Sequence, residues 1–471
     1  MPYPPYIELA RRLQLSTDVF SAERFSGSLV YYSTASYLQA LPRFSIHTLF
    51  TYIMSLHGIP MTSPTQTLTE SPAQQKNTPR VTSFARRIHG WSWQAFPVGM
   101  GTGAVYVTLS SLKHRAGFLH QVETVFYFLN IALFLINTSS LLLQAILYPK
   151  KAFRLLKGPH TGIFVPLFVL SLATIIIGTV NYAVPSGHVS PEAIYALFWV
   201  YVALAVLACF AMLMIWFNEP HDIAHFSPAY AFLVFPMMLV GVVAFSVLKV
   251  MDIDDSRCLG VLLTGYFFQG LGFFMTFFYI CIYIIRLIMT GFMQGHQANG
   301  AFVACGPPGF TALVLINLGE KSRQILPHYN LLSEIAGEVW YAASVMGALL
   351  LFGLAVFFFF FGALPYWFKV HKRLDEILGC WALTFPNVGW IVTLRLLGDI
   401  FHIHGFHIIH VIMCIVMFTT WAILFILTVV AFVKGSIFSS NPEDVVKDAA
   451  TYFEGKRSFE SSESDREKHV V

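Results

Sequence analysis

Proline recurs along this chain with a period that few folds accommodate. Pro97, Pro166, Pro236, Pro308 and Pro386 each fall within an apolar run, at separations of 69, 70, 72 and 78 residues. The apolar runs between them have no proline in their middles. A proline inside a helix removes one backbone hydrogen bond and bends the axis. A repeat of about 70 residues is the length of a helical hairpin with its loops, so the period predicts five hairpins, each pairing a broken helix with a straight one. Phe precedes the proline in three of them, as Phe96-Pro97, Phe235-Pro236 and Phe385-Pro386.

The length of the runs fixes the solvent. A helix needs about 20 apolar residues to cross a bilayer. Ten runs are candidates, at approximately 91–112, 122–148, 160–184, 192–217, 227–250, 258–290, 306–319, 333–367, 380–400 and 408–433, the seventh short and the ninth interrupted. Only 11% of residues are charged, against roughly 25% in soluble domains, which excludes a soluble enzyme. With 45 Phe, 20 Tyr and 9 Trp the chain is equally unlike a disordered scaffold. The net charge of +4 gives no reason to expect a nucleic-acid partner. Six cysteines with no C-x-x-C spacing read as reduced packing residues. The expected fold is an all-α polytopic membrane protein, ten transmembrane helices as five hairpins around a central pore, with the lipid bilayer as its surroundings.

Three regions follow. Residues 1–85 read as a largely disordered cytosolic segment, within which 1–60 is a candidate gene-model extension and Met61 a candidate start. Residues 86–435 form the ten-helix domain, and 436–471 a cytosolic tail whose Ser458, Ser461, Ser462 and Ser464 are candidates for phosphorylation. Lys and Arg in short loops set the orientation. Arg80, Arg86, Arg87, Lys150, Lys151, Arg154, Lys157, Arg286, Lys369, Lys372, Arg373 and Lys434 lie on one side, and Lys113, Arg115, Lys249, Arg257, Lys321 and Arg323 on the other. The richer side is expected in the cytosol, with both termini, in a plasma-membrane protein.

Non-helical backbone at membrane depth survives only where it is buried in protein or lines a watery cavity. Five broken helices therefore belong together about one axis, with the straight helices outside. The expected path runs along Phe96, Pro97, Gly99, Gly101, Thr102 and Gly103 in the first run, Pro166 in the third, Phe235 and Pro236 in the fifth, Gly306, Pro308, Phe310 and Asn317 in the seventh, and Thr384, Pro386, Asn387 and Arg395 in the ninth. A bare charge at mid-bilayer costs at least about 2.5–3.5 kcal/mol. The broken runs offer only Glu320 and Asp399 as acids, both near span ends, whereas cation pathways display carboxylate rings. Broken helices instead place positive dipole ends inside the membrane, which favours an anion.

Arg395 sits four residues before Asp399 on one helical face. It reads either as a clamp for a substrate carboxylate or as a structural ion pair at the membrane edge. His402, His404, His407 and His410 resemble a metal cluster, but they stand where a loop enters the tenth run, and an interfacial or pH-sensing role fits as well. No metal site, no cofactor site and no catalytic set is expected: the GMGTGA stretch at 99–104 lacks the strand and Lys-Ser/Thr context of a nucleotide loop. Arg286 reads as a snorkelling anchor, and Phe357 to Phe361 as lipid-facing bulk.

Five stretches resemble the fungal malic acid transport proteins, of the tellurite-resistance and dicarboxylate transporter group that includes the plant slow-type anion channels. They are WSWQAFPVGMGTGA at 91–104, SPAYAFLVFPMMLVG at 227–241, FFQGLGF at 267–273, CGPPGFTALVLINLG at 305–319 and GCWALTFPNVGW at 379–390. The resemblance implies a homotrimer with one pore per subunit, and that Phe385 matches a pore-blocking phenylalanine and serves as the gate. It implies transport of a small organic anion, malate or a related four-carbon dicarboxylate, together with protons. Because the path lacks an obvious buried acid, the proton is expected to travel on the substrate. An anion channel or sulfite exporter of the same fold is the alternative.

Overall fold

The computed structural model describes residues 81–114, 116–218, 220–293, 298, 300–366 and 376–449. The expectations for residues 1–80 and for 450–471, including the tail serines, lie outside the described residues. So do Arg80, Arg115, Lys369, Lys372 and Arg373 of the charge count.

A short amphipathic helix α1 (Ser83–Gly90) is followed by α2 (Phe96–Ser110), α3 (Gly117–Leu147), α4 (Pro149–Lys157), α5 (Leu167–Gly178), α6 (Pro191–Phe217), α7 (Phe235–Val247), α8 (Arg257–Thr290), α9 (Gly306–His328), α10 (Ala336–Tyr366), α11 (Phe385–Ile400) and α12 (His404–Lys434). A last helix, α13, spans 442–449, and no strand occurs among the described residues. Among the described residues, eight segments are long and apolar enough to cross a membrane. The first and fifth expected spans are shorter helices, α2 of 15 residues and α7 of 13. The seventh, expected to be short, runs from a 3₁₀ turn at Gly300–Cys305 through the 23 residues of α9. Its last turns hold Lys321 and Arg323, which the charge count had placed in a loop.

Packing pairs α2 with α3, α5 with α6, α7 with α8, α9 with α10 and α11 with α12, which makes five hairpins. The first members of the pairs touch in sequence, α2 to α5 to α7 to α9 to α11, and α11 closes back on α2. Burial separates the two layers. In the α5, α9 and α11 segments 67%, 89% and 78% of the apolar window is buried, against 28–33% in α3, α6, α8, α10 and α12. The outer layer turns Phe128, Leu207, Phe267, Leu350 and Ile415 outward, as lipid-facing helices do.

The recurring prolines do not sit inside helices as expected. Each inner helix is preceded by a 3₁₀ turn, at Trp93–Ala95, Gly162–Phe164, Pro228–Leu233, Gly300–Cys305 and Trp381–Leu383. The prolines occupy the junction: in the first turn of α2, α7, α9 and α11, and the N-cap of α5. The first turn of a helix has no intrahelical acceptor for its N–H groups, so proline there loses no hydrogen bond and its fixed φ suits the helix. The period thus marks where each inner helix begins. Outer helices add hydrogen bonds at these junctions: the Asn137 amide donates to Ala95 O at 3.1 Å, and the Tyr201 hydroxyl to Pro236 O at 3.0 Å.

One face of the molecule, called here the terminal face, carries α1, α4 and α13. His89 Nε2 lies 2.9 Å from Asp448 Oδ2, His89 Nδ1 lies 2.8 Å from Ser440 Oγ, and Arg154 donates to the same Asp448 carboxylate. His89 and Asp448 are both buried. Burial alone would raise the Asp448 carboxyl, but the hydrogen bonds from His89 and Arg154 outweigh it and hold it below the ordinary carboxylate value. All six cysteines are free.

Candidate functional site: two cavities meeting at Phe385

The inner ring encloses two cavities. The larger, of about 490 Å³, lies toward the terminal face and is walled by the 3₁₀ turns and the helix starts that follow them. Pro97, Leu167, Phe235 and Phe385 bring the beginnings of four inner helices to it, and Gly300 and Val303 come from the turn before the fifth. The positive dipole ends of the inner helices therefore gather around one space. Gln94, Ser227, His160, His225 and Glu376 complete its polar part.

The smaller cavity, of about 280 Å³, lies on the opposite side of Phe385, and all five inner helices contribute to it. Its apolar wall includes Ala104, Val107, Ile177, Leu239, Val242, Leu313 and Val392. Its polar wall is Ser110, Ser111, His120, Thr174, Asn181, Tyr182, Ser246, Lys249, Asn317 and Arg395. Asn181 and Tyr182 reach it from a π-helical turn, Thr179–Ala183, that ends α5; such turns interrupt helices where a side chain must be re-aimed. Two cations and no carboxylate stand on this wall among the described residues, a charge balance that attracts an anion and repels a cation.

Phe385 belongs to both walls and is 6% exposed. It begins α11 directly after Thr384, whose φ and ψ of −101° and −88° mark the break. Its ring lies 5.0 Å from that of Phe310, inclined at 32°. Two glycines allow this approach of α9 and α11. A Cβ on Gly309 would stand 2.8 Å from Trp390 N, and one on Gly389 would overlap the backbone of Phe310.

Arg395 opens a charged cluster at the far end of the smaller cavity. Its Nε is 2.9 Å from Asp399 Oδ2, a charge contact more than a directed hydrogen bond. Lys113 Nζ and His407 Nε2 approach Asp399 Oδ1 at 3.4 and 3.5 Å. His410 turns inward to Ser111 Oγ at 3.0 Å, while the rings of His404 and His407 are 6.4 Å apart. The histidines are thus dispersed among different partners, and no group of three or more ligating side chains gathers among the described residues.

The expected path residues divide. Phe385, Pro97, Phe235 and Pro386 wall the larger cavity, and Phe385, Phe310, Asn317 and Arg395 the smaller. Phe96, Gly99, Gly101, Thr102, Gly103, Pro166, Pro236, Gly306, Pro308, Thr384 and Asn387 stand on neither wall. Several of them pack helix against helix. Phe96 lies among Trp93, Phe134 and Phe168. A Cβ on Gly101 would meet the Trp381 ring at 2.5 Å, and one on Gly103 would meet Thr174 at 2.8 Å. The Thr102 hydroxyl donates to Val98 O and accepts from the Trp421 indole, and Asn387 Oδ1 accepts from the Trp390 indole at 2.8 Å. A small residue in a membrane helix serves close packing as readily as a lumen, and sequence alone does not separate the two.

Eight of the ten polar residues on the smaller cavity's wall were missed, among them Lys249, Tyr182 and Asn181. Lys249 was read as a loop charge, although a lone cation closing an apolar run is a visible signal. Tyr182 and Asn181 carried none, since their placement depends on the π turn. Behind Tyr182 stands Glu123, fully buried, whose Oε2 accepts from the Tyr182 hydroxyl at 3.2 Å. Arg286, expected to snorkel, is buried and donates to Ala224 O and Gly291 O. In the phenylalanine run, Phe357 and Phe360 face outward, but Phe358 is buried and Phe359 packs on Trp390.

The sequence pattern of the voltage-dependent anion channel family matches residues 90–429. The chain is 28% identical to the malic acid transport protein of Schizosaccharomyces pombe over 362 residues, which is 75% of this chain and 81% of that protein. It is 24% identical to a putative malic acid transport protein of the same organism, over 81% and 89% of the two chains. A sulfite efflux pump of Trichophyton rubrum is 26% identical over 72% of this chain and 89% of its own.

Proposed function

The chain belongs to the voltage-dependent anion channel family, a multi-pass membrane protein that transports anions and is not an enzyme, and on that footing we propose that it carries malate and related four-carbon dicarboxylates across the plasma membrane together with protons. The observation that carries the reading is the smaller cavity, where Arg395 and Lys249 face a small space whose wall holds no carboxylate among the described residues. Its 280 Å³ lies just below the usual range for ligand pockets of about 300–1,000 Å³, which suits a four-carbon acid better than a larger metabolite. Arg395 offers a planar fork matched to a carboxylate, and Lys249 a second positive point. The larger cavity, ringed by helix starts, supplies the next station, and Phe385 is the gate between the two.

The terminal face is the cytosolic one in this reading, since Arg86, Arg87, Lys150, Lys151, Arg154 and Lys157 cluster there. The assembly is a homotrimer, each subunit keeping its own path. Purified protein in liposomes should take up labelled malate, and more of it when the outside is acid. Failure to move any dicarboxylate would end the proposal. Sulfite export is the second reading, favoured by the match to sulfite efflux pumps. Growth of expressing cells in sulfite, set against malate uptake by the same cells, separates the two.

A further inference from the structure

The carboxylate of Asp399 collects three basic groups from three elements: Arg395 from its own helix, Lys113 from the loop after α2, and His407 from α12, at 2.9, 3.4 and 3.5 Å. Of these only Arg395 also stands on the wall of the smaller cavity. Asp399 is therefore placed to hold, in the empty site, the guanidinium that a substrate carboxylate would need. We propose that Asp399 and His407 act as positioning residues that decide, with pH, whether Arg395 is available to the anion. The inference rests on the transport reading above and deepens it, by placing the coupled proton on the protein and not on the substrate.

Histidine is the side chain whose charge changes across physiological pH. With His407 neutral, Asp399 has two cations, and Lys113 is half exposed and screened by water and salt. Arg395 is then its principal partner. With His407 protonated, three positive groups crowd one carboxylate. His407 takes over part of the neutralisation of Asp399 and repels Arg395, which is freed toward the cavity, where an arriving anion restores the balance. Proton and anion thus favour each other's binding, and the coupling is reciprocal. His407 is fitted for this role: a Cβ on Gly398 would stand 3.2 Å from its ring, so α11 and α12 leave it little room to turn elsewhere.

Other titratable and charged groups stand around the cluster: His404, on the same helix as His407, has its ring 6.4 Å from it, and Lys321 of α9 acts on Lys249. Lys249 shares the cavity wall with Arg395 and adds to the attraction for an anion without touching Asp399. His410 on α12 is occupied by Ser111 and Cys414. From α9, Glu320 pairs with Arg323, and α10 presents Phe352 to Phe406 of α12. The cluster stands apart from the proline breaks and from Phe385, so it adjusts affinity and not the gate.

The probe is ethane-1,2-disulfonate, which keeps both charges at all working pH values and so carries no proton of its own. Its inhibition constant against labelled malate uptake is measured in liposomes, with the same pH on both sides so that protein orientation does not matter. For the wild type it should rise about tenfold from pH 5.5 to 7.5, within the limit that linkage to a single proton sets. His407→Gln should flatten the profile. Asp399→Asn should flatten it too and hold the inhibitor as tightly at pH 7.5 as the wild type does at pH 5.5, an opposite change in affinity that loss of structure cannot imitate. A flat wild-type profile, or a wild-type profile retained in either variant, overturns the proposal while leaving dicarboxylate transport intact. Absence of malate uptake by the wild type overturns the transport reading and this inference with it.

Discussion

The rings of Phe310 and Phe385 lie 5.0 Å apart, and Phe385 is shared by the two cavities of the inner ring. Two aromatic rings from neighbouring helices thus meet where the proposed path is interrupted. Their contact depends on backbone proximity, because Gly309 and Gly389 let α9 and α11 approach more closely than any residue with a Cβ would permit. In the proposed path, closure is set by helix packing as much as by ring size.

Gly389→Ala should therefore act at the gate without touching a ring. The added methyl overlaps the backbone of Phe310, and overpacking of this kind costs about 1–3 kcal/mol. A lower melting temperature in detergent and a higher basal anion leak are expected together. A variant as stable as the wild type, with no added leak, would show that α9 and α11 have slack at this point.

Arg395 is expected to contact the anion directly. Arg395→Gln keeps a polar group and removes the charge, and hydrogen bonds to charged groups are worth about 1.5–3 kcal/mol, so the KM for malate should rise roughly 10- to 100-fold. Arg395→Lys should fall between, since an ammonium gives one point of charge in place of a fork. An unchanged KM in Arg395→Gln would return Arg395 to a purely structural pair with Asp399.

On the terminal face, the His89, Asp448 and Arg154 contacts tie α13 to α1 and α4. The Asp448 carboxyl is held below its ordinary value, so its contribution is present at neutral pH and is lost as the pH falls through the lowered value. Hydrogen exchange in 436–449 should stay slow at neutral pH and quicken only in acid below the ordinary carboxylate pKa of about 4. Asp448→Asn should quicken it already at pH 7, as the loss of a buried partner worth about 1–3 kcal/mol implies. Equal exchange in wild type and variant would mean that apolar contacts such as Trp91 with Phe438, stacked at 4.5 Å, hold the segment alone.

Much of this fold is legible in the residues. Five prolines at a near-constant period announced five hairpins, and the scarcity of acids in the broken runs pointed to an anion, although Glu123 of the straight helix α3 is buried behind Tyr182 and Glu376 stands on the larger cavity's wall. What the prolines do locally was misread, because sequence does not tell a kink from a junction; the 3₁₀ turns that make Pro97 and Pro386 first-turn residues appear only when the backbone is traced. The glycines of α2 were assigned to the lumen for a similar reason. Gly101 and Gly103 are consumed by Trp381 and Thr384 on one side and Thr174 on the other, contacts between helices far apart in the chain. Arg395 was visible as a charge in an apolar run, whereas Lys249 and Tyr182 needed the ring to close before they could share its wall. Asp399 drew attention as the partner of Arg395, yet its contacts with Lys113 and His407 come from tertiary structure alone.

The central claim is that the ring holds an anion path blocked at Phe385, and Phe385→Ala tests it most directly. Truncation joins the two cavities; a barrier lowered by about 1.4 kcal/mol gives about tenfold more flux. The measurement is the reversal potential of Phe385→Ala currents in a planar bilayer under a gradient of potassium chloride. Enlarged currents reversing near the chloride equilibrium potential are the expected result. Currents no larger than the wild type's, or currents reversing near the potassium potential, would contradict it.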